Sequence, residues 1–210
     1  MRPDGPVVEP SRWQQQKSAR TRAGLIEASI DCLVEKGYSG LSTSSVAERA
    51  GVSRGAMHHH FATRMDLVSA LVEHVFYQRM HEFVTAYIGA GGSGQGTDRM
   101  VEIASDLHWQ SVQTREYAAY IELAVAARTD PELDAHFAPV AQRFDDVWVR
   151  EMIETFPQWR EHWDAMKLGN DFTIAAHMGM LLQRPVLGPA RLEEVRKLVA
   201  RVVRSLYDMP

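Results

Sequence analysis

Arg54, His58 and His59 fall within a stretch, Ser42 to Arg64, whose side chains suit the binding of a polyanion. A guanidinium such as that of Arg54 can pair with both acceptors on the major-groove edge of guanine. Imidazole N–H groups donate to phosphates or base edges. Thr43, Ser44 and Ser53 add hydroxyls, Arg64 adds a further cation, and Gly55 and Ala56 leave room for close backbone approach. Arg20 and Arg22, expected to lie before the first helix, are placed to reach the phosphate backbone or an adjacent minor groove. The chemistry is noncovalent, and its natural target is double-stranded DNA.

Other chemistries fit less well. The run His58-His59-His60 points about 100° apart at each step of a helix, so it does not converge on one metal within a chain, and no metal is expected. Residues 89–96, Gly-Ala-Gly-Gly-Ser-Gly-Gln-Gly, follow no strand and precede no Gly-Lys-Ser/Thr, so they read as a flexible loop rather than a phosphate cradle. There is no Ser-His-Asp arrangement and no cofactor fingerprint, so no catalytic residues and no cofactor are expected. An acid–base pair of Glu122 and His177 would have no nucleophile to serve.

The DNA-facing side chains need short helices whose ends meet. From Lys17 the pattern turns helical, with Leu25, Ile26, Ser29, Ile30, Leu33 and Val34 on one face and a stop at Gly37. Ser42 or Thr43 caps a second helix that buries Val46, Ala47 and Ala50, and Gly51 makes the turn. Ser53 caps a very short third helix ending near His60, with Phe61 plugging the core beneath it. Thr63 and Asp66 have capping-box spacing and open a long helix to about Ile88. Two helices joined by a tight turn form a helix-turn-helix, whose second helix enters the major groove.

Everything after Thr97 again reads as helix, over about 98–113, 115–128, 131–154, 164–183 and 189–207, and no strand or repeat is visible. The fold class is therefore all-α. The expected organisation is an arm at 1–16, a helix-turn-helix domain at 17–64 and a larger helical ligand-binding and dimerisation domain at 65–210.

The 210 residues carry a net charge of −4, unusual for a DNA binder, but the charge is unevenly spread. Residues 1–64 hold nine Lys/Arg against six Asp/Glu, whereas residues 65–210 hold fourteen against twenty-one. The basic end coincides with the helix-turn-helix, as phosphate binding requires. The single cysteine, Cys32, excludes a disulfide within the chain, fits a reducing compartment and reads as an inert core thiol. No apolar run or signal-peptide pattern marks residues 1–16, and nowhere do about eighteen apolar residues run together, so the expectation is a cytoplasmic protein without a membrane partner.

From about Thr21 to Leu67 the chain resembles the DNA-binding domain of TetR-family transcriptional regulators. The residues that carry the resemblance are Ala28, Gly37-Tyr38, Val46-Ala47, Ala50-Gly51-Val52-Ser53, Gly55, His60-Phe61, Arg64 and Leu67. The resemblance implies a homodimer on a near-palindromic operator, with a C-terminal domain that senses a small-molecule effector and usually represses. One departure lies in the third helix. His58 stands where the family pattern often has a tyrosine that contacts phosphate or a thymine methyl, which alters the operator rather than DNA binding itself.

In the C-terminal half, Trp109, Tyr117, Tyr120, Phe144, Trp148 and Met152 supply large apolar groups, with Glu122 and His177 as polar anchors that pair with each other or with a ligand. They are the expected lining of a site for a mainly apolar effector, aromatic or cationic. Helix 164–183 is apolar on two sides, and its small-residue stripe of Phe172, Ala175, Ala176 and Gly179 is expected to meet a second subunit. The stripe Leu192, Val195, Val199, Val202 and Leu206 of helix 189–207 is expected to join it in a four-helix dimer interface. Alternatives are a regulator without ligand sensing, namely an activator or a DNA-organising or protein-binding dimer, and, on the same fold, an enzyme or carrier.

Overall fold

The computed structural model describes residues 12–91 and 96–207. Among these the chain is helical with no strand: α1 (Arg12–Lys36), α2 (Thr43–Arg49), α3 (Arg54–His60), α4 (Arg64–Gly89), α5 (Thr97–Ser111), α6 (Arg115–Ala127), α7 (Pro131–Thr155), α8 (Trp163–Leu182) and α9 (Arg184–Tyr207). Short 3-10 turns join α1 to α2 and α7 to α8. The all-α expectation holds.

Local chemistry sets most helix ends. Gly37 and Gly51 take φ of 66° and 67°, the left-handed conformation that turns the chain out of α1 and α2. Ser42, not Thr43, caps α2: its hydroxyl accepts from the Ser45 amide at 3.0 Å, and Ser45 returns the contact. Thr63 and Asp66 form the same reciprocal box at the start of α4. Pro131 opens α7 behind an Asp130 cap. Gly188, at φ 68°, breaks α9 just before Pro189, where the expected helix begins.

The first helix is longer than expected. It starts at Arg12, so residues 12–16 of the expected arm are helical, while residues 1–11 lie outside the described residues. Gln14 to Lys17 are good helix formers and residues 13–20 are all exposed, so this extension is solvated and leaves no apolar periodicity to read. Arg20 and Arg22 consequently stand within α1, not before a helix. Of the glycine-rich loop, residues 92–95 lie outside the described residues.

The core beneath the helix-turn-helix does not stop at Arg64. Leu25, Ile30 and Leu33 of α1, Val46 of α2, Met57 of α3 and Phe61 share one buried cluster with Leu67, Leu71 and Phe76 of α4. Leu123 of α6 and Leu133 and Phe137 of α7 belong to the same cluster. Burying a side chain of this size contributes roughly 1.5–3 kcal/mol, so the DNA-facing unit is anchored on the C-terminal helices. Ion pairs reinforce the seam: Arg115 of α6 holds Glu27 and Asp31 of α1, and Arg49 of α2 holds Glu35.

Elsewhere α4 packs along α7 and α8 along α9. The close approach of α8 to α9 inside the subunit is made at Gly169, where a Cβ would meet Val203 Cγ1 at 2.9 Å. Cys32 is buried and free, as its setting in an apolar helix implied. No helix among the described residues is long and apolar enough to cross a membrane.

Candidate DNA-binding surface and ligand cavity

The third helix is held at its start by Ser53, whose Oγ accepts from the Ala56 amide at 3.1 Å. Met57 points inward and is fully buried. Its neighbours Arg54, Gly55, His58 and His59 are therefore left exposed, with Ala56 half-buried. A Cβ on Gly55 would meet only Ser53 Oγ, at 3.9 Å, so the surface beside Arg54 is bare enough for backbone approach. His58 is partly engaged, with Nδ1 3.3 Å from the Ala62 carbonyl. His60 is half-buried and edge-on to His59, and burial, with His59 and Arg22 adding to it, lowers its pKa.

The surrounding residues divide into free and engaged groups. Ser44 and Arg20 are exposed, and Thr43 is half-buried at the start of α2. Arg22 is exposed as a residue, with its guanidinium over the Phe61 ring at 5.1 Å. Arg64 departs most from expectation. Its Nη2 donates to the Tyr38 carbonyl at 2.8 Å and its head lies over the Tyr38 ring at 4.0 Å, so it buttresses the α1–α2 turn rather than standing free at the surface.

Below this unit lies a cavity of about 300 Å³, walled by α4 to α9. Of the eight residues expected to line it, Tyr117, Tyr120, Phe144, Trp148 and Met152 do. Phe76 stacks on Phe144 at 4.2 Å and meets Tyr120 edge-on at 5.2 Å. Phe83 meets Trp148 edge-on at 5.3 Å. Met100, Met152 and Met166 close the opposite part of the wall with apolar, adaptable surface.

Three expected lining residues do not line it. Glu122 is exposed and sits near Gly37, because two residues beyond Tyr120 a helix has turned about 200°. It therefore does not pair with His177. Trp109 turns away from the cavity, packs edge-on against His177 at 5.3 Å and lines a separate small cleft with Leu192 and Arg184. His177 is fully buried behind the wall, and its Nδ1 lies 2.9 Å from Nδ1 of His108, which does line the cavity. Burial pushes His108 down to about 3 and His177 down to about 4, so both rings are neutral near pH 7. One Nδ1–H must then donate to the other ring's bare Nδ1.

Arg79 and His108 were missed. Arg79 follows Phe76 by three residues and precedes Phe83 by four, so the cation sits in an apolar stripe of α4. That interruption was the available signal. Its guanidinium covers the Tyr117 ring at 4.2 Å and lies 5.5 Å from that of Tyr120.

The expected dimer stripes also separate. On α8, Phe172, Ala175 and Gly179 are exposed, in line with Leu168 and Leu182, which are 57% and 59% exposed. Ala176 packs inward. On α9, Leu192, Val195 and Val199 pack with Val101 and Met180 inside the subunit, Val202 is half-buried, and Leu206 lies beside Gly169. An apolar stripe shows that a helix has a buried face but not which partner buries it.

The sequence model of the bacterial regulatory proteins of the tetR family matches residues 25–71, which span α1 to the first turns of α4. This part of the chain is a TetR-family DNA-binding domain. An uncharacterised HTH-type transcriptional regulator of Mycobacterium tuberculosis is 29% identical over 194 residues, 90% of this chain and 97% of that protein. The HTH-type transcriptional repressor AcnR of Corynebacterium efficiens is 30% identical over 131 residues, 62% of this chain and 63% of its own. The crystal structure of a transcriptional regulator from Rhodococcus sp. RHA1 has the same fold, with a TM-score of 0.67 at 19% identity, covering 88% of this chain and 96% of that one. The chain is a DNA-binding transcriptional regulator rather than an enzyme.

Proposed function

We propose that the chain is a homodimeric repressor, acting in the cytoplasm, that a small, mainly apolar effector releases from a near-palindromic operator. The observation that carries this reading is the path of α4. Its first turns complete the core under α3, through Leu67 and Leu71. Its later turns form the cavity wall, through Phe76, Arg79 and Phe83. Phe76 belongs to both.

In this reading Arg54 and His59 contact bases, Ser53, Gly55 and Ala56 allow the approach, and Arg20, Arg22, Thr43, Ser44 and His58 contact the backbone. The exposed stripe of α8, from Leu168 to Leu182, makes the dimer. A ligand that seats better in one α4 position than in another shifts the spacing of the two recognition helices away from roughly one DNA turn, about 34–36 Å. The open cavity disfavours a regulator without ligand sensing, which a solid core would have supported. The test is fluorescence anisotropy on DNA upstream of the chain's own gene and on genome-selected fragments, with and without a bound effector. Unchanged operator affinity with effector bound would sink the release mechanism.

A further inference from the structure

The cavity has two chemically different ends. One is apolar, with Phe83, Met100, Trp148 and Met166. The other brings Arg79 and His108 to the Tyr117 ring, which Arg79 covers at 4.2 Å and His108 meets edge-on at 6.2 Å, with Ser105 on the wall one helical turn before His108. Besides His108, Arg79 and Asp145 are the acidic or basic side chains on the wall. Asp145 is exposed and already held by Lys167 at 3.1 Å, whereas no described carboxylate pairs with Arg79. Its Nε is shielded from solvent without an acceptor, as are Ser105 Oγ, His108 Nε2 and the Tyr117 hydroxyl. Two tyrosine faces are a partial substitute for an anion, and an enclosed charge without one is costly.

We propose that the cavity takes a small organic monocarboxylate with an apolar body, whose carboxylate pairs with Arg79 beside Ser105 and Tyr117 while the body lies among Phe83, Met100 and Trp148. This rests on the reading of the cavity as the effector site. A single fixed cation matches a single negative charge. The two histidines are neutral and add none, so a dianionic phosphate ester would leave a charge unmatched. A cationic ligand would face Arg79 with only the rim carboxylate of Asp145, already occupied, in its favour. Thr173 contributes little selectivity for an anion, because its hydroxyl already donates to the Gly169 carbonyl at 2.7 Å.

The experiment titrates the full-length protein, by calorimetry and by tryptophan fluorescence, with octanoate, 4-phenylbutyrate and naphthalene-2-carboxylate, and with the amide and amine that share the 4-phenylbutyrate body. At least one acid is expected to bind, and to bind roughly ten- to hundredfold more tightly than its uncharged or cationic counterpart, the range for a charge-assisted pair. In Arg79→Met that preference should vanish while the neutral body still binds, and Arg79→Lys should keep part of it. A helical spectrum and thermal melt confirm that each variant is folded. Failure of all three acids to bind, an amide or amine that binds as tightly as the acid, or acid affinity untouched by Arg79→Met each overturns the assignment. Because this readout contains no DNA, an acid that binds through Arg79 yet leaves operator affinity unchanged would count against the repressor reading and not against the anion site.

Discussion

Arg64 and Arg79 stand on the same helix, one bound to the turn that shapes the DNA-facing unit and the other to the cavity wall. Arg64 donates to the Tyr38 carbonyl at 2.8 Å, and Arg79 covers the Tyr117 ring at 4.2 Å. At 1.5 Å per residue they are about 22 Å apart along the axis. A rigid helix with Leu67, Leu71 and Phe76 buried along it moves as one piece. In the proposed release mechanism, a change in where Arg79 sits would reach the base of α3 through this one helix.

Removing the Arg64 buttress should weaken DNA binding indirectly. Arg64→Met is expected to lower unfolding stability by about 1.5–3 kcal/mol, the worth of a hydrogen bond from a charged group, and to reduce operator affinity through a loosened Tyr38–Gly40 turn. Urea melts and operator titration check this. If affinity falls with stability unchanged and the salt dependence flattens, Arg64 contacts phosphate directly instead.

The exposed recognition side chains should behave in the opposite way. Arg54→Ala and His59→Ala are each expected to leave stability within about 0.5 kcal/mol of the parent, because both residues are exposed. Each should remove roughly 1–3 kcal/mol of operator preference over random DNA, the worth of a good base contact. Equal losses on operator and random DNA would identify phosphate contacts rather than base reading.

The neutral histidine pair makes stability depend on pH. Both rings have depressed folded-state pKa values, about 3 for His108 and about 4 for His177, against an ordinary 6.5. Below pH 6.5 the unfolded chain binds protons that the folded chain refuses, so stability falls as pH drops through roughly 6.5 to 4. The slope approaches about 1.4 kcal/mol per pH unit per histidine. Urea melts from pH 7 to pH 5 should show this fall, and His177→Asn should flatten it. A parent whose stability is level across that range would show that the pair titrates normally.

The exposed face of α8 predicts how subunits meet. Phe172→Glu places a charge in the middle of the Leu168–Leu182 stripe and should halve the particle mass in sedimentation while the helical spectrum is kept. Val199→Glu on α9 should instead unfold the chain, because Val199 is buried within the subunit. A Phe172→Glu protein that sediments like the parent would move the interface elsewhere.

How far the residues alone could be read follows from the range of the forces involved. The caps at Ser53 and Thr63, the turn at Gly51 and the apolar face of α1 depend on groups within four residues of one another, so helix order, most helix ends and the helix-turn-helix were legible before any coordinates. The same holds for the exposure of Arg54 and His59, which follows once Met57 is turned inward. Local spacing does not say which helix comes to lie against which face. Glu122 sits between two apolar residues in sequence but on the solvent side of α6. Trp109 follows a cavity residue yet faces away, and Leu192 and Val199 form an interface stripe that closes on their own subunit. The engagement of Arg64 by Tyr38, and the meeting of Arg79, His108 and Tyr117, join residues tens of positions apart. Those pairings were decided only when the long helices packed, because rotation about a helix axis and the choice of partner are set by the whole core and not by any one segment of it.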